Sequence, residues 1–173
     1  KKIAVTIGDP AGVGPEIVLK ALTEHKEIYE TSIPIVFGHK AIMEKYGALL
    51  NLEADIIQVD SLEDFPEPNP NLIVCYESTR LDEIPDEGQI TGLAGKLAFQ
   101  YIKNAIIANQ KGDVDAIATA PINKEAMKMG NVPYLDHTEI LTKLTDSTDT
   151  MTLFVTKNMR VFFYSRHITF KEI

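Results

Sequence analysis

The segment Gly8–Glu16, with the sequence GDPAGVGPE, joins a short apolar run to a pattern typical of a helix. It follows Ile3–Ile7 and precedes Ile17–Leu22. Its glycines permit positive φ angles and close backbone approach, and Pro15 suits the first position of a helix. We therefore predict a strand, a tight turn and a helix whose free N–H groups could hold an anion. The spacing matches neither GxGxxG nor GxxxxGK[ST], and a turn that only joins strand to helix is an equally good interpretation.

Short apolar runs rich in β-branched and aromatic residues recur along the chain and predict strands. Between them lie helical patterns, of which the clearest places apolar residues at three- and four-residue steps from Ala94 to Ile106 and ends near Gly112. This alternation is typical of an α/β fold with a mostly parallel sheet. The predicted strands are Ile3–Ile7, Pro34–Phe37, Ile56–Val59, Leu72–Tyr76, Ala116–Thr119, Met151–Thr156 and Val161–Tyr164, and the shorter predicted helices are Pro15–Glu24, Lys40–Leu49, Asn123–Met129 and His137–Leu144.

Composition limits the classes of function. The chain has 173 residues, of which 45% are hydrophobic and 24% charged, as in an ordinary globular protein. A net charge of -8, with no basic stripe, argues against nucleic acid as a partner. Cys75 is the single cysteine and lies in an apolar run, so we expect a buried strand thiol and a reducing, cytoplasmic location. No apolar stretch reaches the ~18 residues of a membrane span, so no membrane partner is expected.

Four histidines are candidates for chemistry. For His25 and His39 we expect a solvated or capping role, because isolated histidines rarely bind metal. His137 follows Asp136 at a predicted helix start, where anions are favoured, although a simple helix start explains the same residues. His167 follows a predicted strand, at the edge of the sheet where α/β proteins tend to bind ligands. An isolated polar histidine is the alternative there, since no second histidine stands near it.

Three further side chains are secondary candidates. Asn123 and Lys124 open a predicted helix after the turn at Thr119–Pro121, where they could orient a phosphate or a carboxylate. A solvated lysine in a first helical turn is an equally good interpretation. Asp9 could line the same cleft, or it could hydrogen-bond its own backbone as a turn residue.

The last residues predict the start of another helix. Thr169–Glu172 has the T-x-x-E form of a capping box. A chain that stops at a helix start leaves that helix unformed, so we expect a piece of a longer protein. Within it we expect a first α/β lobe at 1–129 and the truncated start of a second lobe at 130–173.

The quoted motifs together resemble the 4-hydroxythreonine-4-phosphate dehydrogenase family, known from pyridoxal phosphate synthesis. The resemblance covers almost the whole chain and keeps the order of the family's motifs. It implies a three-layer α/β/α fold similar to isocitrate and isopropylmalate dehydrogenases, incomplete at its C-terminus, in a protein about twice as long. The matching segments are Gly8–Glu16, Thr119–Ala126, His137–Leu141 and Ser165–Ile168.

The resemblance also implies a reaction: oxidation, with decarboxylation, of 4-phosphooxy-threonine or a similar phosphorylated four-carbon hydroxy acid. It implies NAD or NADP, one divalent metal (zinc, magnesium or cobalt) and a homodimer. His137 and Thr138 match substrate-binding residues, and His167 matches the first of three metal-binding histidines. The other two, and the cofactor contacts, would lie beyond Ile173. The chain departs from the family at Asp136, where glycine is usual, and at Ser165–Arg166, where threonines are common.

Two other interpretations stay open. A phosphate acyltransferase-like α/β enzyme could use the same glycine-rich turn for a phosphate, and its independence of metal would separate it from a dehydrogenase. The chain could also be a module that only folds or dimerises. We expect residues 1–173 alone to show no turnover, because the resemblance places most of the metal site elsewhere.

Overall fold

Five parallel strands form the central sheet of the structure, a computed structural model that describes residues 1–77, 79–148, 150–163 and 171. The strands are β1 (Lys2–Thr6), β2 (Ile33–Phe37), β3 (Asp55–Val59), β4 (Leu72–Tyr76) and β5 (Ala116–Thr119). Their order across the sheet is β3-β4-β2-β1-β5. In β1, Val5 is in register with Val36 on one side and with Ala118 on the other.

Helices flank this sheet, as the alternating pattern predicts, and the predicted α/β class with a mostly parallel sheet is confirmed. The single turn of helix before β2 was not predicted, because four residues are too few to show a helical period. The helices are α1 (Gly14–Glu24), α2 (Ile28–Thr31), α3 (Lys40–Leu50), α4 (Gly92–Lys111), α5 (Lys124–Met129) and α6 (His137–Leu144).

Helix α4 packs along the sheet and carries much of the core. Thr91 caps its first turn by accepting a hydrogen bond from the nitrogen of Ala94, and Gly112 ends it with a φ of 83°. The helix contacts β1, β2 and β5. Its predicted apolar face is confirmed, since all of its members are buried: Ala94, Leu97, Ala98, Tyr101, Ile102, Ala105 and Ile106.

A second apolar cluster holds α5 and α6 against α4. Ile102 and Ile106 of α4 pack with Met127 of α5 and Ile140 of α6, and all four side chains are at most 1% exposed. Helices α4 and α5 approach closely because Gly95 has no side chain: a Cβ there would lie 2.1 Å from the carbonyl oxygen of Ala126. The proposed division into lobes at 1–129 and 130–173 stays a prediction.

The last two strands form a separate hairpin. β6 (Leu153–Thr156) and β7 (Met159–Phe162) pair antiparallel, and Lys157 in their connection has a φ of 49°. The apolar pattern predicts both strands but not this pairing. Two connecting residues can form only an antiparallel hairpin, because a parallel crossover needs a dozen or more. The predicted helix start at Thr169 lies outside the described residues.

Cys75 is fully buried in β4, as predicted, and burial raises the pKa of its thiol. This thiol is therefore a packing group rather than a nucleophile. No helix within the described ranges has the length and apolar character needed to cross a bilayer.

Candidate functional site

The carboxyl ends of β1 and β5 bring two loops together. β1 leads into the glycine turn, as we call Gly8–Glu16, and β5 leads into the Ala120–Asn123 loop. The backbone nitrogen of Asp9 donates to the carbonyl oxygen of Pro121 over 2.9 Å, which joins the two loops directly. Because β2 and β5 lie on opposite sides of β1, this is a point where the strand order reverses, and α/β sheets bind ligands in such crevices.

Two glycines make this close approach possible. Gly8 has a φ of 66°, and a Cβ on it would lie 2.2 Å from the carbonyl oxygen of Pro121. A Cβ on Gly14 would lie 2.0 Å from the carbonyl oxygen of Ile7. A side chain at Gly8 would push the two loops apart, and one at Gly14 would push the start of α1 away from the end of β1. The predicted strand, tight turn and helix are confirmed.

Asp9 combines the two roles considered for it. Its Oδ1 accepts a hydrogen bond of 2.9 Å from the nitrogen of Ala11, as a turn residue does. The side chain is also buried at the junction with Pro121. Burial raises the pKa of this carboxyl, and the hydrogen bond from Ala11 acts in the opposite direction.

The surroundings of the glycine turn are acidic. Burial and the negative charges of Glu87, Asp9 and Glu16 raise the pKa of Tyr46 to about 12. The nearest positive charges are already paired: Lys20 with Glu16 over 2.6 Å, and Lys45 with Glu87 over 2.8 Å. These carboxylates repel an anion at the start of α1. The local charges therefore give no support to the predicted role of the glycine turn in anion binding.

His137 lies at the first position of α6 and beside Ala120. The ring is half-buried, and its Nε2 atom is buried without a hydrogen-bond partner among the described residues. Burial lowers the pKa of His137, while the backbone of Ala120 and the charge of Asp136 act in the opposite direction. The ring is therefore neutral at neutral pH, and hydrogen bonding to the backbone of Ala120 is one of the influences on its pKa.

The residues around His137 form a capped helix start, as predicted. Oδ1 of Asp136 accepts from the nitrogen of Glu139, and Oε2 of Glu139 accepts from the nitrogen of Leu135, over 2.9 and 2.6 Å. Thr138 is half-buried in the first turn of α6. The structure thus places His137 and Thr138 together on one rigid helix turn.

Asn123 and Lys124 differ in their availability to a ligand. Oδ1 of Asn123 accepts from the nitrogens of Glu125 and Ala126, over 2.9 and 3.0 Å, so this side chain is used as the cap of α5. Lys124 is exposed, and it lines an open cleft with Tyr134 and Leu135. The lysine ammonium can reach an anionic group, and the Nδ2 amide of Asn123 stays a possible donor because the cap uses only Oδ1.

For His39 the sequence predicts a solvated or capping role: the residue is the N-cap of α3, although its side chain makes no cap hydrogen bond, and the solvated alternative is wrong. The residue is 1% exposed, with Nδ1 2.7 Å from the hydroxyl of Tyr101 and Nε2 2.8 Å from the carbonyl oxygen of Thr79. Since a carbonyl only accepts, Nε2 carries the proton and Nδ1 accepts from the tyrosine. These partners lie 62 and 40 residues away in sequence, so no local pattern could reveal them. His25 is exposed and paired with Glu27 over 3.0 Å, as expected for a solvated histidine.

The predicted metal ligand, His167, lies outside the described residues, together with Ser165 and Arg166. Within the described part of the chain, no group of three or more histidine, cysteine, aspartate or glutamate side chains is placed to hold a metal ion. His137 borders Ala120 and Asp9 borders Pro121, so both side chains are adjacent to the loop that follows β5.

Tyr46 contacts the glycine turn but was not a candidate from sequence. Its hydroxyl donates to the carbonyl oxygen of Gly12 over 2.8 Å. The two residues are 34 positions apart and on different elements, and a tyrosine on a helical apolar face indicates only core packing.

Comparison with known proteins gives consistent matches. The family model described as "Pyridoxal phosphate biosynthetic protein PdxA" matches residues 30–173. Relatives from Clostridium botulinum and Fusobacterium nucleatum, which carry the provisional name D-threonate 4-phosphate dehydrogenase, are each 41% identical, over 98% and 99% of this chain. The chain spans 51% of the length of each of these curated relatives.

Solved structures agree with these matches. The 4-hydroxythreonine-4-phosphate dehydrogenase of Burkholderia phymatum superimposes with a TM-score of 0.90 at 33% identity, over 99% of this chain and 51% of the other. The enzyme of the same name from Klebsiella pneumoniae gives 0.87 at 33% identity, over 99% and 52%.

Proposed function

Because this chain belongs to the PdxA family of pyridoxal phosphate biosynthetic proteins, we propose that the protein containing it is a dehydrogenase acting on a phosphorylated four-carbon hydroxy acid. The names of its relatives offer two substrates, 4-hydroxythreonine 4-phosphate and D-threonate 4-phosphate. In this proposal the substrate's hydroxyl is oxidised and the resulting β-keto acid loses carbon dioxide. The enzyme works as a homodimer in the cytoplasm.

Besides the family match, the observation that supports the proposal is the half-buried ring of His137 beside Ala120, whose Nε2 lacks a hydrogen bond of good geometry among the described residues. A buried polar atom without a partner costs free energy, and a bound substrate would remove that cost. The lowered pKa keeps the ring neutral, so that one ring nitrogen donates and the other accepts.

His137 and Thr138 have distinct proposed roles on the same helix turn. The imidazole hydrogen-bonds an oxygen of the substrate, while the hydroxyl and the backbone N–H of Thr138 orient the anionic end toward the start of α6. Lys124 and Asp9 are secondary candidates: the exposed ammonium would attract the phosphate, and the buried carboxyl would keep the two loops in register. Asn123 stays a secondary candidate as well: its Oδ1 caps α5, and its Nδ2 amide would donate to the phosphate or the carboxylate.

The proposal includes NAD or NADP and one divalent metal, with zinc, magnesium or cobalt as candidates and His167 as one ligand. When bound, these groups would supply a hydride acceptor and polarisation of the substrate's hydroxyl. The described residues contain no metal cluster of their own, so the remaining ligands would come from other parts of the protein.

The role of His137 is tested by His137→Ala in the full-length protein, assayed by NAD reduction with both phosphorylated acids. We expect kcat/KM to fall by roughly 30- to 1000-fold, as for a lost contact worth about 2–4 kcal/mol in the transition state. His25→Ala is the matched control, because His25 is exposed and lies outside the site. A variant with the kcat/KM of the wild type would reduce His137 to a residue of a helix start.

The role of His167 is tested by metal analysis of His167→Ala in the same protein. Mutation of a residue that only orients a metal ligand already weakens metal affinity by at least about tenfold. Loss of a ligand itself should therefore weaken metal binding by far more. Metal content and activity should fall together, while His25→Ala keeps both. Full metal occupancy with full activity in His167→Ala would rule the residue out as a ligand.

A further inference from the structure

Tyr46 on α3 is bonded to the backbone of the glycine turn. Its side chain is 7% exposed, and its hydroxyl donates to the carbonyl oxygen of Gly12 over 2.8 Å. With a pKa of about 12 the hydroxyl keeps its proton across the physiological range. It is therefore a permanent donor to this one carbonyl.

This hydrogen bond fixes the orientation of one peptide unit. The carbonyl of Gly12 and the N–H of Val13 belong to the same peptide, and the described chain contains no cis peptide bond. In a trans peptide these two groups point in opposite directions. Because Tyr46 holds the carbonyl, the N–H of Val13 points away from α3. Val13 is the residue that precedes α1.

A second set of contacts holds the preceding peptide. The nitrogen of Gly88 donates to the carbonyl oxygen of Ala11 over 2.7 Å. The neighbouring segment is held by Lys45, whose ammonium lies 3.2 Å from the carbonyl oxygen of Pro85 and 2.8 Å from the carboxylate of Glu87. Tyr46 thus holds one peptide of the glycine turn directly, while Lys45 holds the segment whose Gly88 bonds the preceding peptide.

The glycine turn passes this constraint on to the neighbourhood of His137. The nitrogen of Gly12 donates to the carbonyl oxygen of Asp9 over 3.0 Å. The nitrogen of Asp9 in turn donates to the carbonyl oxygen of Pro121 over 2.9 Å. Pro121 follows Ala120, the residue beside the ring of His137. Three hydrogen bonds therefore connect the hydroxyl of Tyr46 to the loop that borders the site.

We propose that Tyr46 is a positioning residue of this site: its hydroxyl sets the Gly12–Val13 peptide and, through Asp9 and Pro121, the place of the loop against which substrate binds. The effect on catalysis rests on the proposed function, whereas the effect on the two loops does not. Without the hydroxyl, the Gly12 carbonyl would lose its donor and the turn could reorient.

The experiment compares Tyr46→Phe with Tyr101→Phe in the full-length protein. Both are buried tyrosines that lose one hydrogen bond and keep the ring, and Tyr101 bonds to His39 rather than to the glycine turn. We expect Tyr46→Phe to raise KM for the phosphorylated acid by roughly fivefold with kcat within about twofold. Tyr101→Phe should leave KM unchanged, even if its Tm falls by as much as that of Tyr46→Phe.

Hydrogen exchange of the Asp9 amide supplies a readout that needs no turnover. We expect it to exchange faster in Tyr46→Phe and at the wild-type rate in Tyr101→Phe, because of these two tyrosines only Tyr46 bonds to the glycine turn that carries Asp9. Failure of the proposed function would appear as a wild type that oxidises neither acid, and the exchange rates would still decide the role of Tyr46. Equal KM values and equal exchange rates in the two variants would overturn the inference.

Discussion

Oδ1 of Asp136 accepts a 2.9 Å hydrogen bond from the backbone nitrogen of Glu139 and thereby fixes the turn that carries His137. The backbone of Asp136 is extended, with φ of -156° and ψ of 175°, a conformation open to any residue. The aspartate therefore stands without strain at a position where the resembled family usually has glycine. It gives α6 a cap and the site a negative charge, and these two effects can be separated.

Asp136→Ala should destabilise the protein by about 1 kcal/mol through loss of the cap, whereas Asp136→Asn should retain most of that stability. Both variants remove a negative charge beside the site, so both should lower KM for a phosphorylated acid. Thermal unfolding and steady-state kinetics on the same samples check the two effects. A higher KM in Asp136→Asn would show that the carboxylate assists binding instead of opposing it.

His137 should titrate below 6.5, its ordinary pKa, because burial disfavours the charged ring. Its contribution to stability is then present above pH 6.5 and is lost as the pH falls through the lowered value. NMR titration of the ring measures this pKa directly. Asp136→Asn should lower it further, since the charge of Asp136 favours the protonated form. An unchanged or raised value in that variant would contradict the assigned electrostatics.

Asp9→Asn should raise the free energy of unfolding at pH 7. Burial holds the pKa of this carboxyl above 3.8, so its ionised form is unfavourable in the folded protein. An asparagine keeps the acceptor for Ala11 without the charge. Because the native pKa is raised, the stability of the wild type falls as the pH rises through that value, and the advantage of Asp9→Asn should vanish below pH 3.8.

The control for Asp9 is Asp115→Asn, which should behave in the opposite way. Hydrogen bonds from the Lys1 side chain and the Lys2 backbone lower the pKa of Asp115, so its charge is favourable. We expect a slight loss of stability at pH 7, measured by urea unfolding alongside Asp9→Asn. A gain in both variants would indicate a general effect of net charge rather than burial of Asp9.

Gly95→Ala should destabilise the protein by about 1–3 kcal/mol, since the new Cβ would meet the backbone of Ala126 and force α4 and α5 apart. Gly47→Ala in α3 is the matched control. Its Cβ would lie 3.4 Å from the nearest atom, the carbonyl oxygen of Leu52, so a gain of up to about 1 kcal/mol in helix propensity is expected. Comparable stabilities in the two variants, from urea unfolding, would contradict the close packing of α4 on α5.

Local patterns identify the helices and strands of this fold, because the apolar periodicity and the residues that start or end an element lie within each segment. The buried face of α4 from Ala94 to Ile106 and the capped start of α6 at Asp136 follow directly from such signals. The order of the strands across the sheet does not follow from such signals. Nothing within Asp55–Val59 or Leu72–Tyr76 indicates that the later strand lies between the earlier one and β2.

The site shows the same division between local and distant information. The glycine turn and the helix start at His137 are readable from neighbouring residues. The partners that decide the state of a side chain are distant: Tyr101 for His39, and Gly12 for Tyr46. Burial of His39 in place of the expected solvation results from those partners, which a sequence pattern cannot show.

Among the strands that the structure describes, β5 lies at one end of the central sheet, and its Ala116, Ala118 and Thr119 are exposed although their types suit a sheet interior. An edge of this kind invites another strand to add to it. A preparation of residues 1–173 will therefore be prone to concentration-dependent association. A lysine at position 118 would discourage such pairing, so light scattering of the chain with and without Ala118→Lys gives a practical guide to handling it in solution.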